Sequence, residues 1–557
     1  MAIVRILGTL RVHPALRLYS TSRAGGSQPR RKSIGRKSGR AHVGARRPTP
    51  RVFVAALCLA HLSLSSGSPS EATRERGPWL KVAVEASPMG WDPHVDFDLT
   101  AREHWEQIYE TLVQLGPDLA VEPALAESWD RPDPRTYVFH LRRGVLFHHR
   151  REMVAGDVVY SFERARRLGA GAPGRALEGM QSVEAVDPAA VRVVLSAPNA
   201  GFLSALAANR GAAIVPRDVV ERHGSLKAVM VGTGPFRIKK YEPGFYAELE
   251  RNPSYWGKNL PRVDGIVFVV TRDESARVAD LRRGALDIAS VRDARLADGA
   301  MADKSLRVAS PPPAQVIAMA FNQERPPFAT RKLRQALSAA LDRDALVKAA
   351  AGGHGELTAA LPPASPFALS RGDVARLAFY RRDPALSRRL LAEGGQPRGF
   401  DFTALVVDRP DLLEIARTVQ AQLKEVDVRM GIQTVDAPTQ ANRRRAGDFQ
   451  AVLTAGDWSP DPDGYVRAEA AAPKDGERHR TANPELERAL EDSRVAIDTA
   501  RRAELWRRIQ GLLAEEVPAV WLLARPAGFD LVRAAVTGYV PRPDLSRGTL
   551  KYAGLAK

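Results

Sequence analysis

Past residue 78, short runs rich in β-branched residues alternate with amphipathic helical stretches. The runs are typical of strands, and apolar residues three or four positions apart are typical of helices. We therefore expect strands at 79–86, 136–148 (a hairpin turning at Gly144), 213–216, 236–252, 265–271, 315–322, 400–407 and 449–456. We expect helices at 156–168, 329–350 and 412–426. The spacing has no fixed period, which argues against a repeat protein and indicates a mixed α/β fold.

The chain is long enough for more than one domain. Its 557 residues are 44% hydrophobic and 26% charged, a composition typical of a globular protein with a sizeable core. Proline-rich breaks at 311–313 and 362–366 are the best candidates for domain boundaries.

The net charge of +18 is concentrated at the amino terminus. Residues 1–51 contain thirteen Lys or Arg and no acid, so the rest of the chain carries only +5. A small charge spread over so many residues attracts a polyanion weakly, whereas the basic segment alone could make nonspecific phosphate contacts. We therefore expect no nucleic-acid partner, and a polyanion-binding protein that acts through this segment is the alternative.

An apolar core at 52–64 follows the basic segment, and the small-residue run 65–70 follows the core. These three parts are typical of a secretory signal peptide. With 13 residues, the core is shorter than the roughly 20 residues that span a bilayer as a helix. We expect a leader over 1–70, cleavage near 66–70, and a periplasmic or extracytoplasmic mature protein.

The single cysteine, Cys58, lies inside the apolar core. A lipidation site needs a small residue before its cysteine, and Leu57 is not small, so we expect no lipid anchor. Cleavage after the core removes the only thiol, and with it disulfides and thiolate chemistry. Alternatives for this end are a twin-arginine signal at Arg46 and Arg47, an organelle transit peptide over 1–46, and a start codon placed too far upstream.

Two motifs that suggest cofactors lack the context they need. GAGAPG at 169–174 has the spacing of a dinucleotide-binding loop, but it follows a helix and contains Pro173, so we expect a surface loop. His140, His148 and His149 lie close in sequence without further ligands beside them. We expect no cofactor and no metal.

AGDWSPDPDGY, residues 455–465, contains three aspartates. As a calcium loop starting at Ser459 it would have Ala470 where the bidentate glutamate belongs. Asp457, Asp461 and Asp463 could approach one another, but no partner group defines a reaction. A proline-bounded loop without catalytic residues is our expectation, and a secreted hydrolase that uses these three aspartates is the alternative.

Six stretches carry a further signal: 79–94, 108–148, 156–165, 232–257, 321–347 and 445–465. Together they resemble family 5, the peptide-binding family among the extracytoplasmic solute-binding proteins of ABC importers. The resemblance implies a two-lobed periplasmic-binding-protein fold (class II) with an extra inserted domain and a ligand cleft between the lobes. Lobe I would comprise 78–115, 233–307 and 526–557; domain II would be 116–232; lobe II would be 308–525.

The same resemblance implies where a ligand binds. Peptide-binding members hold the ligand like an added strand, and an aspartate in a motif resembling G-W-x-x-D-Y-P-D-P-D pairs with its α-ammonium. The implied ligand-binding residues here are Phe97, Asp98, Leu99, Thr454, Gly456, Asp457 and Trp458.

The sequence departs from this motif at the aspartate itself. Alignment on Pro460 to Asp463 puts Trp458 at that position and Asp457 one place earlier, a shift that turns a strand side chain to the opposite face. Alternatively, Trp458 is the family tryptophan followed by a short deletion. Both alignments leave amine recognition by Asp457 open, and Asp98 could serve a cationic ligand instead.

The resemblance implies a monomeric binding protein without catalytic residues. Its partners would be a peptide or a similar solute and the permease subunits of an ABC importer. A receptor for nickel, haem, an opine or an oligosaccharide on the same fold is the alternative within this class. His148 to Arg150 stand where the family has a tight His-Asp-Gly turn, which we interpret as a structural variation.

Overall fold

The computed structural model describes residues 78–96, 99–116, 119–168, 177–208, 212–350, 352–457, 461–470, 483–544 and 546–556. The predicted leader 1–70, the loop 169–174, and the residues Phe97, Asp98 and Trp458 lie outside these ranges. The described residues form one unit by their mutual contacts. In the described part of the chain, no helix combines the length and apolarity needed to cross a bilayer.

The strands are β1 Trp79–Val84, β2 Val113–Leu115, β3 Val121–Pro123, β4 Ala126–Asp133, β5 Thr136–Leu141, β6 Met180–Asp187, β7 Ala190–Leu195, β8 Phe236–Glu242, β9 Tyr246–Arg251, β10 Gly265–Val270, β11 Ile288–Val291, β12 Leu306–Ala309, β13 Gln315–Phe321, β14 Asp401–Val407, β15 Arg429–Val435, β16 Ala451–Asp457, β17 Ala519–Arg525, β18 Phe529–Arg533, β19 Val536–Thr537 and β20 Gly554–Leu555.

The helices are α1 Leu99–Ile108, α2 Ala155–Leu168, α3 Phe202–Ala207, α4 Arg217–His223, α5 Glu274–Arg282, α6 Ala294–Met301, α7 Arg331–Ala340, α8 Arg343–Ala350, α9 Arg371–Val374, α10 Pro384–Glu393, α11 Pro410–Lys424, α12 Ala437–Arg445, α13 Pro462–Ala470, α14 Pro484–Val495 and α15 Thr499–Glu516, with a 3-10 helix at Gly548–Tyr552.

A seven-stranded sheet is assembled from distant parts of the chain, in the order β12-β18-β11-β1-β10-β9-β8. Its centre is parallel, because β1 pairs in parallel with both β10 and β11. Parallel strands need long connections, and here these carry α1, α5 and the inserted segment that follows β2.

A five-stranded sheet follows in the order β15-β14-β16-β13-β17. Strand β13 is buried along its whole length, and its alternate residues belong to two different apolar clusters. A strand covered on both faces is expected to be apolar throughout, as QVIAMAF nearly is. The chain passes between the two large sheets at 310–314 and again at 526–528.

A third sheet, β4-β5-β7-β6, is antiparallel throughout and lies within the inserted segment. Helix α2 packs against it and contributes Val158, Phe162 and Ala165 to a common apolar core with Phe139 and Val191. Two short pairs, β2 with β3 and β19 with β20, complete the sheets of the described residues.

Two predicted elements differ from the structure. The single helix expected at 329–350 is two helices, because Leu341 is extended (ψ 132°) and Asp342 caps the second helix by accepting from the backbone N–H of Ala345 at 2.9 Å. The hairpin expected at 136–148 is wrong: β5 pairs with β4 and β7, and beyond the turn at Gly144 only an isolated bridge joins Leu146 to Glu152.

Two further expectations need correction. Residues 213–216 are apolar and buried but form no strand. Residues 236–252 form two antiparallel strands instead of one, because Gly244 adopts a φ of +83° in the turn between β8 and β9.

Candidate functional site

Strand β16 has one edge that no other strand covers over its second half. Its register with β13 extends to its last residue, Asp457, which lies opposite Gln315. On the other side, β14 pairs only with Ala451 and Val452. Within the described residues, the backbone beyond Leu453 therefore has an open edge, and such an edge can accept an additional extended segment.

Gln440 marks the point at which β14 and β16 separate. Its side-chain amide donates to the carbonyl oxygens of Leu405 on β14 and Leu453 on β16, each at 3.3 Å. The amide thus takes the place of the missing strand pairing at this level. Residues 454–457 are the open part of the edge.

Two of the predicted ligand residues, Thr454 and Gly456, are used in packing. The hydroxyl of Thr454 donates to the carbonyl oxygen of Ala318 at 3.3 Å. A β-carbon on Gly456 would lie only 2.3 Å from Cε2 of Tyr465. A ligand at this edge would therefore meet the backbone of both residues, and their role in binding stays a prediction.

A polar row closes the same end of the five-stranded sheet. Gln315 lies opposite Asp457 on one side and opposite Arg525 on the other. The guanidinium of Arg525 donates to Oε1 of Gln315 at 3.0 and 3.1 Å and pairs with Asp411. Arg409 donates to Asp411 as well, at 2.6 and 3.1 Å. Asp411 therefore lies between two arginines at the row's end.

The charges of this row perturb one another. Burial alone would raise the pKa of Asp411, but hydrogen bonds and charge from Arg409 and Arg525 hold that pKa below its ordinary value. Burial lowers the pKa of Arg525 from its usual value, although Asp411 opposes the shift. Asp411 is therefore an anion at neutral pH.

A cavity of about 570 Å³ lies between the parts of the chain built on the two large sheets. The seven-stranded part contributes charged side chains that include Glu274, Arg292 and Arg295, and the five-stranded part contributes Arg409, Glu414 and Arg525. The volume is within the roughly 300–1,000 Å³ usual for small-molecule sites. A cavity with charges of both signs on both walls fits a polar solute that is itself charged.

His354 joins the two parts at one margin of this cavity. Its Nε2 lies 2.7 Å from Oδ1 of Asp298, and its ring meets that of Phe529 edge to face at 5.0 Å. Asp298 and Phe529 belong to the seven-stranded part, whereas His354 lies between α8 and β17 of the five-stranded part. The cavity is therefore bounded by a direct contact between its walls.

The other predicted ligand residues follow the loop after β1, and of these the structure describes Leu99, which is the first residue of α1. Asp92 in this loop is completely buried and binds both terminal nitrogens of Arg164 on α2, at 2.5 and 2.9 Å. Asp92 also accepts from the backbone of His94 and Leu226, each at 3.1 Å. These bonds fix the loop at Asp92, four residues before Asp96, the last described residue ahead of Leu99.

His94 adds a neutral imidazole to this buried cluster. Its ring nitrogens lie 2.8 Å from the carbonyl oxygen of Ala213 and 2.9 Å from Nη1 of Arg164. Burial, and secondarily the charge of Arg164, lower the pKa of His94 to about 4. The arginine therefore has Asp92 as its anionic partner and a neutral histidine beside it.

Asp461 and Asp463 are paired with arginines. Asp461 accepts from Arg502 at 2.8 Å, and Asp463 accepts from Arg467 at 2.9 and 3.0 Å. Burial raises the pKa of Asp463 above its ordinary value, although Arg467 opposes the shift. The expected loop is partly helical, since α13 begins at Pro462. Both carboxylates are engaged in ion pairs within the fold, and this arrangement does not favour a catalytic pair.

The three histidines of the second motif do not converge. His140 pairs with Asp130 at 2.8 Å and His149 with Asp218 at 3.1 Å. His148 is half-buried, with Nε2 3.1 Å from the carbonyl oxygen of Gly234, and desolvation of its ring lowers its pKa to about 4. Among the described residues, no group of three or more His, Cys, Asp or Glu is arranged to hold a metal ion.

Sequence reasoning missed three members of the polar row: Gln315, Asp411 and Arg525. One signal was present: Arg525 ends the apolar run AVWLLA at the predicted boundary between lobes. A charge at the end of a buried strand usually has a partner or a ligand. Asp411 follows a different strand, β14, and lies far from Arg525 in the sequence. No spacing rule therefore connects the two residues.

Two large sheets joined by two chain crossings, with a charged cavity between them, define the class of two-lobed solute-binding proteins. The family model for bacterial extracellular solute-binding proteins, family 5 (middle region), matches residues 120–474. The chain belongs to this family, as its sequence motifs indicated.

Relatives and solved structures agree with this assignment. The chain is 29% identical to the dipeptide-binding protein of Escherichia coli K12, over 86% of this chain and 96% of that protein. It is 28% identical to heme-binding protein A of Haemophilus influenzae, over 86% of this chain and 92% of that protein. The periplasmic binding protein DppA of Helicobacter pylori, solved with the peptide STSA, superposes with a TM-score of 0.73 at 25% identity, over 86% of this chain and 99% of that one. The predicted fold class is confirmed.

Proposed function

We propose that the protein is the solute receptor of an ABC importer and that it captures short peptides, or solutes resembling them, between two closing lobes. One observation carries this proposal: the open edge of β16 ends in the polar row beside the charged cavity. Strand addition at such an edge gives affinity through backbone hydrogen bonds and tolerates varied side chains. The relatives named for peptides support it.

The proposed lobes follow the sheets. Lobe I (78–115, 233–307 and 526–557) holds the seven-stranded sheet, domain II (116–232) holds the four-stranded sheet, and lobe II (308–525) holds the five-stranded sheet. One boundary needs adjustment, because β12 extends to Ala309 and the first crossing therefore lies at 310–314. Closure of the lobes would remove a ligand from water and strengthen its charge pairs.

The ligand's ends would be held by charge. An α-ammonium would pair with Asp457 or Asp98, and a charge-assisted hydrogen bond of this kind contributes roughly 1.5–3 kcal/mol. The backbone of Asp457 ends β16 beside Gln315, at the polar end of the sheet. Phe97, Leu99 and Trp458 would complete the site, and no catalytic group takes part.

Isothermal titration calorimetry with a set of di- and tripeptides tests this function. Each peptide is paired with its N-acetylated form, which lacks the ammonium. We expect acetylation to weaken binding at least tenfold, and Asp457→Asn or Asp98→Asn to abolish that difference. Asp448→Asn, an exposed carboxylate elsewhere in lobe II, is the matched control. Equal affinity for free and acetylated peptides would refute the ammonium contact, and absence of any peptide binding would refute the function.

We also propose export by the leader 1–70 with delivery to membrane permease subunits. The basic segment, the apolar core and the small residues that follow it support this proposal. N-terminal sequencing of protein recovered outside the cytoplasm tests it. A first residue within or just after 66–70 is expected, and an intact basic segment would contradict it.

A further inference from the structure

Gly201 lies at the start of α3, in domain II, and its own backbone does not require glycine. Its φ of −87° and ψ of −3° are in the right-handed region that any residue adopts. It is buried, in contrast to the turn glycines of the chain that have positive φ. The reason for a glycine must therefore lie in what surrounds it.

Asp461 of lobe II occupies the space where a side chain would begin. A β-carbon on Gly201 would lie 1.2 Å from Oδ2 and 2.4 Å from Cγ of Asp461. Asp461 is held in place, because its Oδ1 accepts from Nη2 of Arg502 at 2.8 Å and from the backbone N–H of Asp463 at 3.0 Å. Rotation of the Asp461 side chain to make room for a β-carbon would break both hydrogen bonds.

A hydrogen bond accompanies this close approach. The backbone N–H of Ala200 donates to the carbonyl oxygen of Arg494 at 2.8 Å. Arg494 lies in the last turn of α14, where carbonyl groups have no partner within the helix. Domain II therefore supplies a hydrogen-bond donor to a carbonyl group of lobe II. This bond makes the contact between the two a specific one.

The position of this contact links it to ligand binding. Asp461 lies four residues after Asp457, the last residue of β16, so the contact fixes a point close in sequence to the proposed ammonium site. We propose that Ala200 and Gly201 form a docking point of domain II on lobe II, which holds Asp461 and so stabilises the closed, ligand-bound arrangement of the two. The proposal rests on the proposed function, and it assigns domain II a direct part in ligand affinity.

The first test is Gly201→Ala, measured by calorimetry with the tightest-binding peptide. The added methyl group has no room while Asp461 is in place, so we expect a Kd raised roughly tenfold, within the range of overpacking penalties. Gly156→Ala in the same domain is the matched control, because only Cγ2 of Val154 lies within 4 Å of its added carbon, at 4.0 Å.

A second substitution distinguishes an effect that acts through the Asp461 side chain from a general destabilisation of the protein. Asp461→Ala removes Oδ2 and Cγ, the two atoms that the added methyl group would meet first. Gly201→Ala in this background should therefore change the Kd less than threefold relative to Asp461→Ala alone. A double-mutant cycle of this form isolates the pair's interaction. An equal loss in both backgrounds, or no loss in the wild-type background, would overturn the proposal.

A ligand-independent measurement distinguishes this proposal from the function on which it rests. Spin labels at Ser182→Cys on β6 and Ala500→Cys on α15, both exposed, report the separation of domain II from lobe II in a Cys58→Ser background. We expect Gly201→Ala to deplete the shorter distances and Gly156→Ala to leave them unchanged. An unchanged distribution in Gly201→Ala overturns the docking point, even if the wild type binds no peptide.

Discussion

The buried pair of Asp92 and Arg164 should dominate the stability of the contact between the loop after β1 and helix α2 of the inserted segment. Asp92 is 0% and Arg164 is 3% exposed, and the carboxylate accepts four hydrogen bonds, two of them from the guanidinium. Asp92→Asn keeps the shape but removes the charge and turns an amide N–H₂ toward donors. The arginine would then remain as a buried charge without its anion.

Breaking a buried ion pair by removal of one partner costs about 3–5 kcal/mol, and we expect a loss of this size for Asp92→Asn. Urea unfolding followed by tryptophan fluorescence and by far-UV circular dichroism measures it, provided that the two transitions coincide. Asp130→Asn is the matched control, because that carboxylate is 73% exposed and its pair with His140 should contribute little. A loss below about 1 kcal/mol for Asp92→Asn would refute the reasoning.

Three further predictions concern pH, packing and export. His94 and His148 have folded pKa values of about 4, below the unfolded value of roughly 6.5. The unfolded state therefore binds more protons, and the free energy of unfolding should fall by about 2–3 kcal/mol per histidine between pH 6.5 and 4. Urea midpoints measured at pH 7 and at pH 4.5 test this expectation. The substitution His148→Gln should reduce the difference between the two midpoints. Gly456→Ala should cost roughly 1–3 kcal/mol by crowding Tyr465, and an unchanged urea midpoint would contradict that contact. Mature protein should begin within or just after 66–70, and Edman sequencing checks it.

Much of the fold could be predicted because local patterns and tertiary burial agree. Strands β1, β10, β13 and β14 were predicted to within two residues, since each is an apolar run that forms a strand of one of the two large sheets. The division of 329–350 into two helices was not predictable from periodicity. Its apolar spacing continues through Leu341, and the interruption depends on Asp342, whose backbone N–H donates to Gln422 on α11 at 2.8 Å.

The candidate site was less accessible to sequence reasoning because its geometry depends on register. The stretch 455–465 was recognised, but the row of Asp457, Gln315 and Arg525 exists only through the pairing of β16, β13 and β17. The demand for glycine at Gly201 likewise arises from a side chain 260 positions away in the chain. Contacts of this kind leave no local pattern, whereas the family motifs predicted the fold that brings them together.

Native mass spectrometry of gently purified, exported protein tests the central claim most directly, because a closed receptor retains what it has captured. The account predicts a complex with one ligand per chain, whose released masses form a series of short peptides. Loss of that series after denaturation and refolding, and its return when the peptides are added back, would establish reversible binding. A single mass corresponding to haem, nickel, an opine or an oligosaccharide, with no peptide series, would contradict the account.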